Sequence, residues 1–498
     1  MFILDKIDYI LDRITMYRLV LYILIAYIVI AIIEALFGLL SFSPLSILVS
    51  AIAFLIVCLL SNKILAKIFK APTSIESSYI TALILTSIVT PANNQNSLLV
   101  IALIGIIAMT SKYLIAVRHK HIFNPAAFAV VISGIFFSNP ASWWIGTVSL
   151  APVTIIGGFL IVKKLRFFEF VSIFIASFLL LTFITAILNK SDVFVVLSKT
   201  LIYSSLIFMG TVMLTEPQTL PPKKVYRNIY ASIVGILSIY ILPEIALLIG
   251  NIFSFLVSLK RKLTPELVEK NKLASNIWEF VFKSQKKLDF VPGQYMEWTL
   301  SHQNTDSRGN RRFFTIASSP TEENLKLAIR FEEKGSSFKR ALFESEKNKT
   351  IVAGNLSGDF ILPKNKQKLA FIAGGIGITP FRSIIKYLSD RKEVKDIILI
   401  YSNSEEKEIV YKDLFDEGKM IGLKPFYTLT NNENMPTSWK GEKGRIDGNK
   451  IMRLIPDFKE RLFYISGPQP FVQAMKRTLV ELRVSRRQIK TDYFPGYA

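Results

Sequence analysis

Long apolar runs fill the first half of the chain, and polar residues there lie mainly in the short loops between them. A single helix needs about 20 apolar residues to cross a bilayer, so Leu19–Leu40, in which only Glu34 is charged, predicts a membrane-spanning helix. Two later segments are short, and Pro243 and Glu244 divide the last long run into two passes. The pattern predicts ten transmembrane segments: Leu19–Leu40, Leu45–Leu60, Ser78–Thr90, Ser97–Thr110, Ile122–Ser138, Trp143–Val162, Phe167–Leu188, Val193–Leu214 and the two parts of Ile229–Leu259.

Lysine and arginine residues are concentrated in alternate loops of this half. Basic clusters such as Lys163–Arg166 follow the even-numbered segments, whereas Lys190 is the only basic residue in the loops after the odd-numbered ones. Because basic loops stay in the cytoplasm, we expect a multi-pass protein of the cell inner (plasma) membrane with both termini cytoplasmic. An eight-crossing alternative, with the two short segments re-entrant, leaves the C-terminus on the same side.

Two segment ends are alike: TALILTSIVTP at Thr81–Pro91 and MGTVMLTEP at Met209–Pro217. The charge pattern places Pro91 outside and Pro217 inside, which predicts a 5+5 inverted repeat with broken helices and a binding site near the membrane midplane. The alternative is that Thr-Pro endings recur by chance.

Short strand-like runs replace the long apolar segments in the second half. Lys260–Lys272 is basic and favours a helical linker, and the runs that follow it predict a small antiparallel β-barrel. From Lys368 the pattern changes to strand, glycine turn and helix, which is typical of a Rossmann-type α/β domain. The expected organisation is a transmembrane domain at 1–258, a cytoplasmic linker at 259–272, a barrel domain at 273–363 and an α/β domain at 364–498.

Composition limits the chemistry that the chain can perform. A hydrophobic fraction of 51% and a mean hydropathy of +0.39 disfavour a disordered chain and an ordinary cytosolic enzyme. The net charge is +22, but the basic residues of the first half lie in membrane loops, so no nucleic-acid partner is expected. One cysteine, Cys58, and three histidines leave too few ligands for a disulfide, an iron–sulfur cluster, a thiolate zinc site or haem. No metal site is expected, and redox chemistry must use an organic cofactor.

A polar stretch, Ser111–Phe128, interrupts the membrane half. Asn124 before Pro125 is a favourable start for a helix, and the positive end of that helix together with Lys112 predicts a site for a polar or anionic ligand. A solvated basic loop is the alternative, and it accounts for Arg118 and Lys120.

This stretch, the TEPQTLPP loop at Thr215–Pro222 and the ten-segment layout resemble the flavin-carrying membrane subunits of sodium-pumping NADH:quinone reductases and Rnf-type complexes. The resemblance covers roughly residues 18–258. It implies FMN or riboflavin in the membrane domain, with Lys112 and Asn124 as candidate site residues. Those relatives attach FMN to a threonine in a Ser/Thr-Gly/Ala-Ala-Thr-like loop, which this sequence lacks, so a noncovalent flavin is expected. Bis-haem reductases are excluded because His119 and His121 do not share a helical face.

Six motifs follow one another in the second half, before a closing DYFPGYA. They are FVPGQY at Phe290–Tyr295, RFFTIAS at Arg312–Ser318, KGSSFKRAL at Lys334–Leu342, GNLSGDF at Gly354–Phe360, GGIGITP at Gly374–Pro380 and YISGPQPFVQAM at Tyr464–Met475. In this order they resemble the ferredoxin–NADP reductase family over Leu273–Ala498. The resemblance implies an FAD-binding barrel followed by a domain that binds NAD(P)H.

Roles for barrel residues follow from that resemblance. Arg312 neutralises the FAD pyrophosphate, Phe314 stacks on the flavin, and the Thr315 hydroxyl reaches flavin N5. Phe314 replaces the family's tyrosine and lacks its hydroxyl. The backbone N–H groups of Gly335, Ser336 and Ser337 would face the pyrophosphate from the start of a helix, and the alternative for this trio is a simple helix cap.

The same resemblance assigns residues to the nucleotide. The glycines of the GGIGITP turn allow close approach of a phosphate, and Gly467 and Pro468 match an element near the nicotinamide. Ser466 stands where the family has cysteine. The expected NAD(P) residues are Gly374, Gly375, Gly377, Thr379, Pro380, Gly467 and Pro468.

The chain's last residues supply two aromatic groups, Phe494 and Tyr497. Either could cover the flavin face, and a packed tail is the alternative. We assign Tyr497 to FAD binding and the catalytic roles to Thr315, Ser466 and Phe494.

Acidic Glu405 and Glu406 after the second α/β strand favour NADH over NADPH, because they repel a 2′-phosphate. We expect a membrane-bound flavoprotein oxidoreductase that passes electrons from cytoplasmic NAD(P)H through FAD to the membrane domain, and then to a quinone or a carrier protein. One alternative is an ion-translocating redox pump (Na⁺ or H⁺) with other subunits of an electron-transport complex. The other is a reductase whose helical bundle is an anchor or assembly surface.

Overall fold

The structure is a computed structural model, and its chain forms two compact units. One comprises Met1–Lys262 with Ser307–Asn310, and the other Leu263–Asp306 with Arg311–Ala498. The structure describes residues 7, 10–11, 14–69, 75–117, 120–203, 205–258, 263–285, 287–303, 305–306, 309–332, 335–363, 368–431 and 433–492, without the side chains of 120, 202 and 203.

The first unit is helical, and its described residues include one β-hairpin whose strands have two residues each. Its main helices are α1 (Met16–Leu36), α2 (Pro44–Ile68), α3 (Ile75–Ile88), α4 (Gln95–Leu114), α5 (Pro125–Phe137), α6 (Ala151–Leu165), α7 (Phe168–Leu188), α8 (Val193–Tyr203), α9 (Lys224–Tyr240) and α10 (Pro243–Val257). The hairpin pairs β1 (Ala116–Val117) with β2 (Lys120–His121). Leu206–Phe208 is a further helical turn that continues as a π-helix over Met209–Met213.

All ten apolar segments of the sequence analysis fall on helices of this unit. Within the described residues, however, only α1, α2, α4 and α7 are long and apolar enough to cross a membrane. A fifth span results if Val193–Leu201 and Leu206–Met213, which meet at 58°, are counted as one broken passage. The other segments form shorter helices, so the count of ten crossings stays a prediction.

Local capping signals fix several of these helix starts. The Ser43 side chain accepts a hydrogen bond from Ser46 N, and Pro44 opens α2. At α4, Asn94 and Ser97 form a reciprocal capping box. These contacts satisfy backbone N–H groups that a helix leaves without partners, as the sequence signals indicate.

The second unit begins with two antiparallel sheets, each of three strands. The first has the order β3 (Glu266–Ala274), β4 (Ile277–Lys283), β7 (Leu325–Arg330), and the second β6 (Arg311–Thr315), β5 (Tyr295–Thr299), β8 (Val352–Ser357). Isolated bridges, Leu263 to Ala353 and Glu266 to Thr350, join the two sheets along one side. The helix of this lobe is α11 (Ser337–Glu344).

The helical linker expected over Lys260–Lys272 is wrong where the structure describes it. Residues from Glu266 onwards form strand β3, which pairs with β4 along most of its length. Leu267 is fully buried, and burial on a neighbouring strand outweighs the weak helix preference of lysine and glutamate.

A parallel six-stranded sheet completes the second unit. Its order is β12 (Glu442–Lys443), β11 (Leu423–Leu429), β10 (Ile397–Asn403), β9 (Leu369–Gly374), β13 (Leu462–Ser466), β14 (Ile489–Asp492). Every residue of β9 and β10 is buried, as expected for central strands covered on both faces. The main helices are α12 (Thr379–Arg391), α13 (Lys412–Glu417), α14 (Gly448–Leu454) and α15 (Gln469–Glu481).

The two antiparallel sheets with α11 form the barrel lobe, and the parallel sheet with its helices forms the sheet lobe. Arg382 on α12 links the sheet lobe to the barrel lobe. Its guanidinium forms a two-pronged ion pair with Glu322, and Nη1 also donates to the Ala317 carbonyl at 3.0 Å. Next to it, Ser383 Oγ donates to the Ser318 carbonyl at 2.7 Å. Burial raises the pKa of the Glu322 carboxyl, but Arg382 outweighs it and holds that pKa at about 2. The two lobes are therefore joined by a charged contact that is largely shielded from solvent.

Candidate functional site

Two glycine turns touch at the carboxyl edge of the parallel sheet. Strand β9 ends at Gly374 and passes through a tight turn, Gly375–Ile378, into α12. A Cβ atom on Gly377 would lie 2.4 Å from the Gly467 backbone, in the turn after neighbouring strand β13. Only glycine allows this approach. Ligands of open α/β sheets bind at this edge, so the expected NAD(P) residues are gathered where a dinucleotide would lie.

These glycines have a packing role as well as the expected role in phosphate approach. A Cβ atom added at either Gly374 or Gly467 would lie 2.8 Å from the ring of Phe471 on α15. Gly375 has a φ of +52°, which favours glycine because side chains crowd the left-handed region. Thr379 and Pro380 open α12 as expected, with the Thr379 hydroxyl bonded to the Ile376 carbonyl.

A barrel residue meets the edge of the sheet beside these turns. Thr315, the last residue of β6, donates from Oγ1 to Oδ2 of Asp492 at 3.3 Å. Asp492 ends β14 and is paired in register with Ser466, the last residue of β13. The hydroxyl expected at flavin N5 and the serine expected near the nicotinamide therefore converge, and Asp492 lies between them.

Arg312 and Phe314 share a face of β6, as strand alternation predicts. Both contact the ring of Phe338 on α11, with the Arg312 guanidinium carbon 5.4 Å and the Phe314 centroid 5.9 Å from its centroid. Arg312 is 1% exposed. Phe313 points to the other face and packs edge-on against Tyr295.

The start of α11 supplies the remaining groups expected at the pyrophosphate. Ser336 caps the helix by accepting a hydrogen bond from Lys339 N. The Ser337 N–H donates to Oδ2 of Asp306 at 2.8 Å, and Gly335 lies in the turn before the helix, with its N–H bonded to the Glu332 carbonyl. Ser336 is thus a helix cap, and the Asp306 carboxylate faces the start of the helix. The expectation that this trio binds the FAD pyrophosphate stays a prediction.

The donor set fits a diphosphate. A buried guanidinium and a helix N-terminus are the usual partners of phosphate oxygens, and here they flank a carboxylate of this same chain, since Asp306 Oδ1 lies 3.7 Å from Arg312 Nη2. Arg312 and the start of α11 form a cradle, and the groups of this cradle suit an oxygen-bearing anion. Arg312, Ser336 and Ser337 are the residues that would hold the FAD pyrophosphate.

The loop after β10 is acidic, and two of its carboxylates have partners. Glu405 pairs with Lys407 at 2.7 Å and accepts from Asn434. Glu408 lies 3.4 Å from Arg330 Nη2, and Arg330 in turn lies close to Gly375. The arginine beside the Gly375 turn is thus paired with a carboxylate, and the preference for NADH over NADPH stays a prediction.

In the membrane half, Lys112 and Asn124 have separate partners. Lys112 donates to the side chains of Ser77 and Thr81 on α3. Asn124 caps α5, its Oδ1 accepting from Ala126 N and Ala127 N, and its own N–H donates to Asn251 on α10. The interpretation of Asn124 as a helix cap is confirmed in the structure. A joint ligand site formed with Lys112 stays a prediction.

Sequence reasoning missed several residues of the site. Asp306, Asp492 and His302 stand in none of the six motifs, and Phe338 lies inside KGSSFKRAL but has no role there that the sequence indicates. Only the position of Asp492 at the start of DYFPGYA offers a signal. Phe494 and Tyr497, the two aromatic residues assigned to the flavin, lie outside the described residues.

Comparison with known proteins agrees with this geometry. Residues 371–477 match the family model described as oxidoreductase NAD-binding domain. A flavohemoprotein of Oceanobacillus iheyensis is 23% identical over 46% of this chain and 58% of its own length. The xylene/toluene monooxygenase electron transfer component of Pseudomonas putida is 25% identical over 46% and 65%, and a glycine betaine monooxygenase reductase subunit of Pseudomonas aeruginosa 25% identical over 43% and 60%.

The chain thus spans a little over half the length of these curated relatives, and the matches cover under half of this chain. The comparisons do not show the resemblance of the N-terminal half to flavin-carrying membrane subunits. The C-terminal half of the chain is a ferredoxin–NADP-reductase-like FAD- and NAD-binding module.

Proposed function

We propose that this chain is a membrane-bound flavoprotein oxidoreductase that transfers electrons from NADH through FAD to its membrane half. One observation carries the proposal: the Thr315 hydroxyl on the barrel lies 3.3 Å from Asp492 at the sheet edge, beside Ser466 and the glycine turns. A flavin held at Thr315 and a nicotinamide held at Ser466 would be adjacent, which hydride transfer requires.

FAD would supply hydride acceptance and one-electron transfer, and the protein would supply binding, orientation and electrostatics. Arg312 and the α11 start neutralise the pyrophosphate charge, and Phe314 offers an aromatic face to the ring system. Thr315 Oγ1 can donate to a flavin nitrogen in place of Asp492, and Asp492 Oδ2 can then hold a proton near that position. Glu405 and Glu406 after β10 disfavour a 2′-phosphate, which favours NADH over NADPH.

Membrane attachment is supported by four long apolar helices in the described residues and by the alternating basic loops. The acceptor on this proposal is a quinone or an electron-carrier protein of an electron-transport complex. Two relatives are named as an electron transfer component and a reductase subunit, which supports a protein acceptor.

The proposal includes a second, noncovalent flavin (FMN or riboflavin) in the first unit, near a buried chain of hydrogen-bonded polar residues. Asn251 Nδ2 donates to Tyr230 Oη at 3.0 Å while its Oδ1 accepts from Asn124 N at 2.8 Å, and Asn251 and Tyr230 are fully buried. Polar groups buried in a membrane bundle are often functional.

The test is cofactor extraction and an anaerobic titration with NADH on the purified full-length protein. We expect at least one FAD per chain, bleaching of its absorption near 450 nm by NADH, and slower bleaching by NADPH. Absence of FAD, or no bleaching by either nucleotide, contradicts the proposal. An Arg312→Ala variant should lose FAD, whereas Arg391→Ala, which alters an exposed ion pair of the same unit, should retain it.

A further inference from the structure

The carboxylate of Asp306 contacts the same N–H and guanidinium groups that are assigned to the FAD phosphates. Its Oδ2 accepts the Ser337 N–H bond at 2.8 Å, and its Oδ1 faces Nη2 of Arg312 at 3.7 Å. Ser337 is the first residue of α11, where N–H groups have no partner within the helix. The same two groups, helix start and buried guanidinium, would bind a phosphate.

Further hydrogen bonds support the contact between Asp306 and Ser337. The Asp306 N–H donates to Ser337 Oγ at 3.0 Å, and Ser337 Oγ lies 3.0 Å from Nε2 of His302. His302 Nδ1 is 2.9 Å from the Leu300 carbonyl, which can only accept, so Nδ1 carries a proton. In the neutral ring Nε2 then accepts from the Ser337 hydroxyl. Asp306 and Ser337 therefore hold each other through backbone and side chain.

We propose that Asp306 is an internal competitor for the phosphate groups of FAD. Its carboxylate and an FAD phosphate would compete for the same groups, because two anions cannot share one helix start and one guanidinium. The inference rests on the FAD binding proposed above and goes beyond it, since it assigns an opposing role to a residue outside all six motifs.

We therefore expect the protein to bind FAD more weakly than it would if Asp306 did not compete for Arg312 and the start of α11. FAD binds only the fraction of molecules in which Asp306 has left, and the apparent dissociation constant rises as that fraction falls. The carboxylate also compensates the charge of the buried Arg312, because an isolated buried charge would be unfavourable.

The test compares Asp306→Asn with wild type in the full-length, flavin-depleted protein, by titration with FAD and its fluorescence quenching. Asparagine keeps the shape but offers a neutral acceptor, and hydrogen bonds to a charged group are roughly twice as strong. We expect the dissociation constant for FAD to fall about tenfold. Asp289→Asn, which removes an exposed carboxylate from the same unit, should leave it unchanged.

Two ligands that each contain one part of FAD show whether the effect arises at the phosphates. ADP carries a diphosphate, so Asp306→Asn should tighten its binding by a similar factor, whereas riboflavin carries no phosphate and its affinity should stay the same. Weaker or unchanged FAD binding in Asp306→Asn overturns the inference, because Asp306 would then support Arg312 in the loaded protein or play no part. Failure of the wild type to bind FAD overturns the proposed function instead, so the two failures are distinguishable.

Discussion

At the residue scale, the Thr315 hydroxyl is the group whose removal should separate chemistry from binding. Thr315→Val keeps the side-chain shape but cannot donate to Asp492 or to a flavin nitrogen. We expect NADH-dependent FAD reduction to slow by about 100- to 1,000-fold, because one well-placed donor contributes on that order, with the FAD content unchanged. Anaerobic stopped-flow absorption measures the rate. Thr315→Ser retains the hydroxyl and should react nearly as fast as wild type, whereas a wild-type rate in Thr315→Val would contradict the assignment.

How far individual residues can be predicted depends on whether their partners are close in sequence. Arg312 and Phe314 are related by strand alternation and Ser336 by helix capping, so local pattern places them. Asp492 is 177 residues from Thr315, and Asp306 is 31 from Ser337. No local period relates such pairs, because chain topology alone brings them together.

At the scale of elements, the contact between the two glycine turns should tolerate no added atom. Gly377→Ala would push a methyl group to within 2.4 Å of the Gly467 backbone, and backbone cannot swing aside as a flexible side chain can. We expect a loss of about 1–3 kcal/mol in unfolding free energy and weaker NADH binding, measured by thermal unfolding and nucleotide titration of the full-length protein. Gly448→Ala meets only ordinary contacts at 3.5 Å or more and should change neither. Equal behaviour of the two variants would show that the turns can separate freely.

The sequence predicts helices and strands well where their hydrophobic pattern is clear. Buried strands such as β9 carry continuous apolar runs bounded by turns, and β9 begins directly after Lys368, where the predicted strand, glycine turn and helix pattern starts. Strand β3 escapes prediction because its lysines and glutamates alternate with few apolar residues, and the pairing with β4 decides its conformation. In the membrane half, apolar runs predict helices correctly but do not reveal where a helix ends, because prolines and polar loops shorten α3 and α5 below a full bilayer span.

At the scale of the whole molecule, the ion pair between Glu322 and Arg382 makes the joint between the barrel and sheet lobes sensitive to acid. Arg382 holds the pKa of the Glu322 carboxyl at about 2 against its burial, below the ordinary 4.5. A group with a lowered pKa in the folded state stabilises it above the ordinary pKa, and this stabilisation is lost as the pH falls towards the folded value. Between pH 6 and pH 3.5 the wild type should therefore lose about 1 kcal/mol of unfolding free energy more than Glu322→Gln does.

The measurement is urea unfolding of the full-length protein at both pH values, followed by the fluorescence of released FAD. At pH 6, Glu322→Gln should itself be less stable by about 3 kcal/mol, because it leaves the Arg382 charge buried without its partner. Glu393→Gln, which alters an exposed ion pair with Arg391, should cost less than about 1 kcal/mol and keep the wild-type pH dependence. If Glu322→Gln and wild type lose stability in parallel as the pH falls, the Glu322–Arg382 ion pair contributes little to the stability of the folded protein.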